Sequence, residues 1–441
     1  MRLCERLMKA SSKIYRGPVP SLQGGFNILG ITWGDRMKIA LFTEVFLPKI
    51  DGITNRLAHT LREMKRLGHQ VLIFAPGNAV EDFEGFRVVR MGGLPFPRYP
   101  GLKITLPTPT LVRELKRFDP EVVHVVGPAC LGLWGTLASR MLDLPLVASY
   151  HTDFPAYMPH YGLSFLKSQA WHVIRQVHNQ AARNLCPSLF TQKQLLSHGV
   201  KHVGLWRGGV DTERFHPRRR TAAMRQRLTD GHSRAPLALY VGRLGFEKNL
   251  DRLQILLRSI PNLRLAFVGD GPARAQLEQQ YQGDRVVFAG FMQGEELAEA
   301  FASADVFVMP STTETLGFVT LEAMSSQLPV LAARAGGTTD LIEHGVNGWL
   351  YDPENAMTRV EGLRELLNQK ELRKRLGLAA RARAEQQSWE KETESLLEVY
   401  RKTVREVAFN EHFGTDFNAE VWARIQGHAD NFQSQPSGAI G

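Results

Sequence analysis

The 441-residue chain has little cysteine: Cys4, Cys130 and Cys186 stand far apart and show no CxxC spacing. Neither a zinc site nor a disulfide framework can be built from that set, and a reducing compartment is its simplest home. No apolar run approaches the roughly 20 residues needed to span a bilayer, and no stretch joins a basic start, a short apolar core and a small-residue cleavage site. A cytoplasmic protein, at most peripheral on a membrane, is expected. No Asp-x-Asp pair occurs, which removes the simplest acidic clamp for Mg²⁺ or Mn²⁺ on a diphosphate, so metal independence is expected. No G-x-G-x-x-G follows the first strand of either domain, which disfavours a nicotinamide dinucleotide. Aromatic stacking platforms and known nucleic-acid-binding motifs are missing too, so the net charge of +10 is not assigned to nucleic acid.

Acid is also absent locally. Residues 154–210 contain no Asp or Glu, yet hold Lys167, Arg175, Arg183, Lys193, Lys201, Arg207 and five histidines. A one-signed surface of this kind fits an anionic partner. Its aromatic and apolar members Tyr157, Tyr161, Phe165, Leu166 and Trp171 suit a lipid interface, with Lys167 and Arg175 meeting headgroups. The competing reading is an amphipathic helix whose aromatics fill a core.

What is present is a repeated alternation. From Met37 the apolar runs MKIALFT, QVLIFAP, EVVHVVG and LPLVASY alternate with helical stretches, and after a basic bridge the runs LALYVGR, LRLAFVGD, RVVFAG, ADVFVMP and LPVLAAR do the same. Alternation of buried-type strands with helices predicts two α/β domains with doubly wound parallel sheets. The expected organisation is a non-core extension over 1–36, a first Rossmann-like domain over 37–206, a second over 207–388, a helix over 389–408 returning to the first domain, and a polar, mostly disordered tail over 409–441. Two such domains place a ligand in the crevice at the carboxyl ends of their strands.

The strand ends carry suitable chemistry. LALYVGR ends in Gly242-Arg243, and Lys248 follows in the next loop, so two cations five residues apart can converge on a diphosphate. Gly269 opens a turn around Asp270 suited to close backbone approach. The stretch 311–330 reads STTETLGFVTLEAMSSQLPV. There Thr315, Leu316, Gly317, Phe318 and Val319 form a loop entering a helix, with backbone N–H groups open to a phosphate or sugar oxygen. Glu314 in the loop and Glu322 in the helix offer paired acceptors to sugar and ribose hydroxyls. Asp51-Gly52 follow the first strand and precede a helix, a second backbone anion cradle, with Lys49 just before them. LPLVASY ends in His151-Thr152-Asp153.

Together these features resemble the large retaining glycosyltransferase family with two facing Rossmann-like domains, family 4 with the GT-B fold and its interdomain cleft. The resemblance spans 37–389, and GRLGFEKN with the Glu-x7-Glu pair Glu314 and Glu322 is its specific part. It implies a nucleotide-sugar substrate, Glu314 on the transferred sugar, Glu322 on the ribose, Arg243 and Lys248 on the diphosphate, and His151 at the sugar's far edge. The stretches LVASYHT, VHNQAARNLC, LWRGGVDTERFHPR, FASADVFVMPSTTETLGFVTLEAMSS and ARAGG are similar to the sulfolipid synthases of cyanobacteria and plants, which move sulfoquinovose from UDP to diacylglycerol. On that resemblance Lys49 is the candidate partner of the sulfonate. The chain departs from it at Asp153, where a non-acidic residue is expected, and at Arg207-Gly208, where a bulkier pair is expected. Alternatives of the same fold are GDP-mannose or UDP-glucose donors with another lipid or glycan acceptor; a nucleotide-sugar epimerase and a basic nucleic-acid-binding protein are rivals of other classes.

Overall fold

The computed structural model describes residues 36–413, apart from residues 50, 97–98, 106–107 and 128. Residues 1–35 of the expected extension and 414–441 of the expected tail lie outside the described residues.

The first sheet is built from β1 (Lys38–Thr43), β2 (Gln70–Pro76), β3 (Asp82–Phe83), β4 (Phe86–Met91), β7 (Val122–Val126), β8 (Leu146–Ser149), β9 (Arg183–Cys186) and β10 (Val203–Leu205). Their order is β10-β9-β8-β7-β1-β2-β4-β3, parallel except for the β3–β4 pair. Runs such as VVHVV and LVAS are buried at every position because helices cover both faces of a parallel sheet. A separate hairpin, β5 (Gly93–Phe96) with β6 (Tyr99–Thr105), was not among the expected strands.

The second sheet comprises β11 (Leu237–Val241), β12 (Arg264–Val268), β13 (Val286–Gly290), β14 (Val306–Met309), β15 (Val330–Ala333) and β16 (Trp349–Tyr351), in the order β13-β12-β11-β14-β15-β16 and wholly parallel. Among the parallel strands of each sheet the order reverses once, between β1 and β7 in the first and between β11 and β14 in the second. Such reversals are where the loops after the strands diverge and a ligand crevice is expected.

A last helix, Trp389–Phe413, lies on the first sheet through buried Leu396, Leu397, Tyr400 and Val404, a helical spacing that presents one apolar face. Arg183 of β9 pairs with Glu406 of this helix, so part of the positive charge of residues 154–210 is neutralised from outside that stretch. The expected start of the disordered tail, residue 409, is corrected: the helix continues to Phe413, because no proline or glycine interrupts it before that point.

Candidate functional site

The cationic loop after β11 and the loop after β14 meet because these two strands are hydrogen-bonded neighbours at the switch point of the second sheet. Lys248 Nζ donates to Glu314 Oε1 at 2.6 Å, with side chains only 11% and 15% exposed. Burial penalises the ammonium of Lys248, but Glu314, by charge and hydrogen bond, together with Tyr157 and Tyr240 outweighs it and raises the lysine pKa. Burial likewise opposes the Glu314 carboxylate, yet attraction to Lys248 brings its pKa below the ordinary value, with smaller help from Ser311 and Arg243. Both groups are therefore charged. Arg243 Nη2 donates to Glu247 Oε1 at 2.7 Å, and Glu247 is fully buried. Tyr240 of β11 donates its hydroxyl to the Arg243 carbonyl at 3.0 Å, which fixes the start of the loop. Arg243, Lys248 and Glu314 thus lie together in one cluster.

Glu322 lies in the helix Phe318–Ser325, buried, and burial lifts its carboxyl pKa to about 8 against a smaller lowering by Arg214. Its carboxyl is largely protonated at neutral pH. Gly317, the residue before that helix, adopts φ +90°, a conformation that a side chain rarely takes, and no side chain caps the helix there. Among the described residues the N–H groups of Phe318 and Val319 have no acceptor, while those of Thr320 and Leu321 already bond back to the Gly317 carbonyl. The Leu316 side chain is buried, so only its backbone can serve a ligand. The Thr315 hydroxyl donates to the His151 carbonyl at 2.8 Å and the Thr191 hydroxyl donates to the Thr315 carbonyl at 3.3 Å, which joins the two Rossmann-like halves at this loop.

From the first half, His151 follows β8 and is held by Ser149 Oγ at 2.8 Å and by a T-shaped contact with the Trp206 ring. Burial, followed by the nearby Arg56, His124 and His178, keeps its pKa well below the usual histidine value. It is a neutral ring. Tyr157 reaches the cluster from the same half, its ring 6.0 Å from Lys248 Nζ, and burial pushes its phenol up to about 12.

Several expectations need correction. Tyr157 is not a membrane-facing residue, since its ring is committed to the Lys248 side of the site. Trp171 is 7% exposed and stacks on His198 at 3.7 Å between ring centres, so it belongs to the core of the first half. Phe165 is 70% exposed and Lys167 exposed, with Arg175 half-buried, in keeping with a surface position. Tyr161 closes the 3-10 turn Met158–Tyr161, and its side chain lies outside the described residues. The cradle at Asp51-Gly52 is already filled: Asp51 Oδ1 accepts from the N–H groups of Ile53 and Thr54 at 3.1 and 2.9 Å and caps the helix Gly52–Arg66. Lys49 lies 3.9 Å from the other oxygen of the same carboxylate. Phe318 turns its ring onto Arg56, Gly208 and Trp389, so its side chain joins the domains instead of facing a donor. Gly269 is demanded by packing, because a Cβ there would sit 2.0 Å from the Gly242 carbonyl oxygen.

The two departures from the sulfolipid synthase pattern also have local causes. Asp153 accepts from Tyr150, from the Ala156 N–H and from Gln194, and it starts the short helix Phe154–Tyr157. Its charge is engaged within the first half. Gly208 lies under Phe318, where an added Cβ would be 2.0 Å from a ring carbon.

Sequence reasoning missed Glu247, which stands in the quoted GRLGFEKN and could have been found as the acid beside two cations. It also gave no role to Gly336 and Gly337 of ARAGG. The Gly337 N–H donates to the Glu314 carbonyl at 2.6 Å, and a Cβ at either glycine would strike the 314–315 backbone. Among the described residues no group of three or more His, Cys, Asp or Glu side chains could hold a metal ion, and no helix is long and apolar enough to cross a membrane.

Two doubly wound sheets whose strand ends bring a buried Lys–Glu pair, a second cation and a neutral histidine together are the arrangement of a GT-B glycosyltransferase. Comparison with known proteins agrees. Residues 50–214 match the model of Glycosyltransferase Family 4, and residues 229–383 match that of Glycosyl transferases group 1. A sulfoquinovosyl transferase of Arabidopsis thaliana is 41% identical over 80% of this chain and 71% of its own length. A GDP-mannose-dependent alpha-mannosyltransferase of Mycobacterium tuberculosis is 38% identical over 82% of this chain and 96% of its own. The fold matches that of the sucrose-phosphate synthase of Thermosynechococcus elongatus, with a TM-score of 0.69 at 21% identity over 83% of this chain and 99% of the other. The chain belongs to glycosyltransferase family 4 and is a glycosyltransferase.

Proposed function

We propose that this glycosyltransferase moves sulfoquinovose from UDP-sulfoquinovose to the hydroxyl of diacylglycerol, retaining the anomeric configuration and using no metal ion. The observation that carries the reading is the convergence of Arg243, Lys248 and Glu314 at the β11/β14 switch point, next to His151, in a chain 41% identical to a sulfoquinovosyl transferase. Breaking the bond between the anomeric carbon and the phosphate oxygen leaves negative charge on UDP. Arg243, Lys248 and the open N–H groups after Gly317 stabilise that charge in place. The departing phosphate oxygen takes the acceptor's proton as its hydroxyl attacks the same face. Glu314 binds the sugar hydroxyls and Glu322 the ribose. Asp153, engaged by three donors, leaves no open acid charge to oppose a sulfonate. Lys49, 45% exposed, is the cation assigned to the sulfonate.

The acceptor resides in a bilayer, so the enzyme docks on an anionic membrane surface through Phe165, Lys167 and Arg175 and acts from the cytoplasmic side. A second reading, with GDP-mannose as donor, is favoured by the 38% identity spanning 96% of the mycobacterial relative. Radiolabelled UDP-sulfoquinovose, UDP-glucose and GDP-mannose, each supplied with diacylglycerol vesicles, test the choice. Labelled lipid should form from UDP-sulfoquinovose and persist in EDTA. Labelled lipid from GDP-mannose alone would overturn the donor, and turnover lost in EDTA and restored by Mg²⁺ would overturn the metal-free mechanism.

A further inference from the structure

Four buried polar groups run in a line from the last helix to the site. Tyr400 Oη lies 2.6 Å from His124 Nδ1, His124 Nε2 lies 2.8 Å from Ser149 Oγ, and Ser149 Oγ lies 2.8 Å from His151 Nε2. Tyr400, His124 and Ser149 are each fully buried, and His151 is 9% exposed. Three contacts must be made by hydrogens whose positions follow from counting.

Burial, with Arg56 adding to it, lowers the His124 pKa to about 3, so this ring carries a single proton. If that proton were on Nδ1, it would be donated to Tyr400, and the phenolic hydrogen would be buried without an acceptor, since His124 is the only partner of that hydroxyl among the described residues. Such an orphan costs about 1–3 kcal/mol. Tyr400 is therefore the donor, and His124 carries its proton on Nε2 and donates it to Ser149. Among the described residues the serine hydrogen then has one acceptor left, His151 Nε2; were His151 to donate instead, the serine hydrogen would be the orphan.

We infer that Tyr400, His124 and Ser149 form a one-directional hydrogen-bond chain that holds His151 in the Nδ1–H form, so that the ring offers a donor to an oxygen of the transferred sugar. Tyr400 and His124 touch neither sugar nor nucleotide: they are positioning residues, and the last helix helps to set a donor at the site. The consequence for transfer rests on the proposed reading of His151 as a sugar contact, whereas the protonation pattern does not.

Nitrogen-15 NMR of the full chain labelled at histidine tests the pattern without any substrate, with the His151→Gln protein identifying the signal. His151 should show a pyrrole-type Nδ1 and a pyridine-type Nε2. Ser149→Ala should abolish this preference and Ser149→Thr, which keeps the hydroxyl, should retain it. Tyr400→Phe, which removes only the phenolic oxygen, should weaken the preference and lower kcat/KM about tenfold, the size of one lost hydrogen bond. A proton on Nε2 of His151 in the unsubstituted protein, or an unchanged Nδ1–H form in Ser149→Ala, would overturn the inference. The expected pattern in a protein that transfers none of the candidate sugars would leave it standing and remove the proposed function instead.

Discussion

Replacing Lys248 by Met tests how the central pair is held. The charges are 2.6 Å apart and nearly dry, so at an effective dielectric of about 20 their attraction is roughly 6 kcal/mol, offset by several kcal/mol of desolvation for each ion. The intact pair therefore adds little net stability. Removing one partner leaves the other buried and uncompensated, at a cost of about 3–5 kcal/mol. Lys248→Met and Glu314→Gln should each lower the urea midpoint of the second domain, while the double variant should return to within about 1 kcal/mol of the parent. All three should lose transfer by about a hundredfold or more, because charge at the donor is gone in each. The pair's pH window follows from its shifts: the Glu314 share is present above the ordinary value of 4.5 and fades as the pH falls below it, whereas the Lys248 share is full below 10.5 and fades only as the pH rises beyond. A double variant as unstable as the single ones would refute the reasoning.

Other consequences are open to measurement. Glu322 has a folded pKa of about 8, above the ordinary 4.5, so its contribution is full below 4.5 and stability is lost as the pH rises through 8; Glu322→Gln should flatten urea stability between those values. Equal pH slopes in the two proteins would rule that out. Gly208→Ala should cost about 1–3 kcal/mol by driving a methyl into Phe318, and Phe318→Leu in the same chain should recover part of it; no loss in thermal unfolding would remove that packing argument. Lys167→Glu with Arg175→Glu should weaken sedimentation with anionic vesicles, each basic residue being worth about 1 kcal/mol at such a surface. Wild-type sedimentation by that protein would move the dock elsewhere.

The architecture was legible because fully buried parallel strands must be written as unbroken apolar runs, and every such run read from the sequence is a strand. The separation of Arg243, Lys248 and Glu314 along the chain did not hide them, since each follows the end of such a strand. Local sequence determined those positions and the helix start at Gly317. What it could not determine was direction and company. Trp171 and Phe165 read alike as aromatics in a basic stretch, yet one stacks on His198 inside the fold and the other is exposed. Asp51 looked like part of an anion cradle, but its own carboxylate fills it. The partners of His151 come from β7, β8 and a helix about 250 residues downstream, and only the packing of that helix on the first sheet brings Tyr400 to His124. A strand's burial is set by its own residues, whereas the protonation and pairing of a buried polar group are set by whichever groups the chain's long-range folding brings within hydrogen-bond reach.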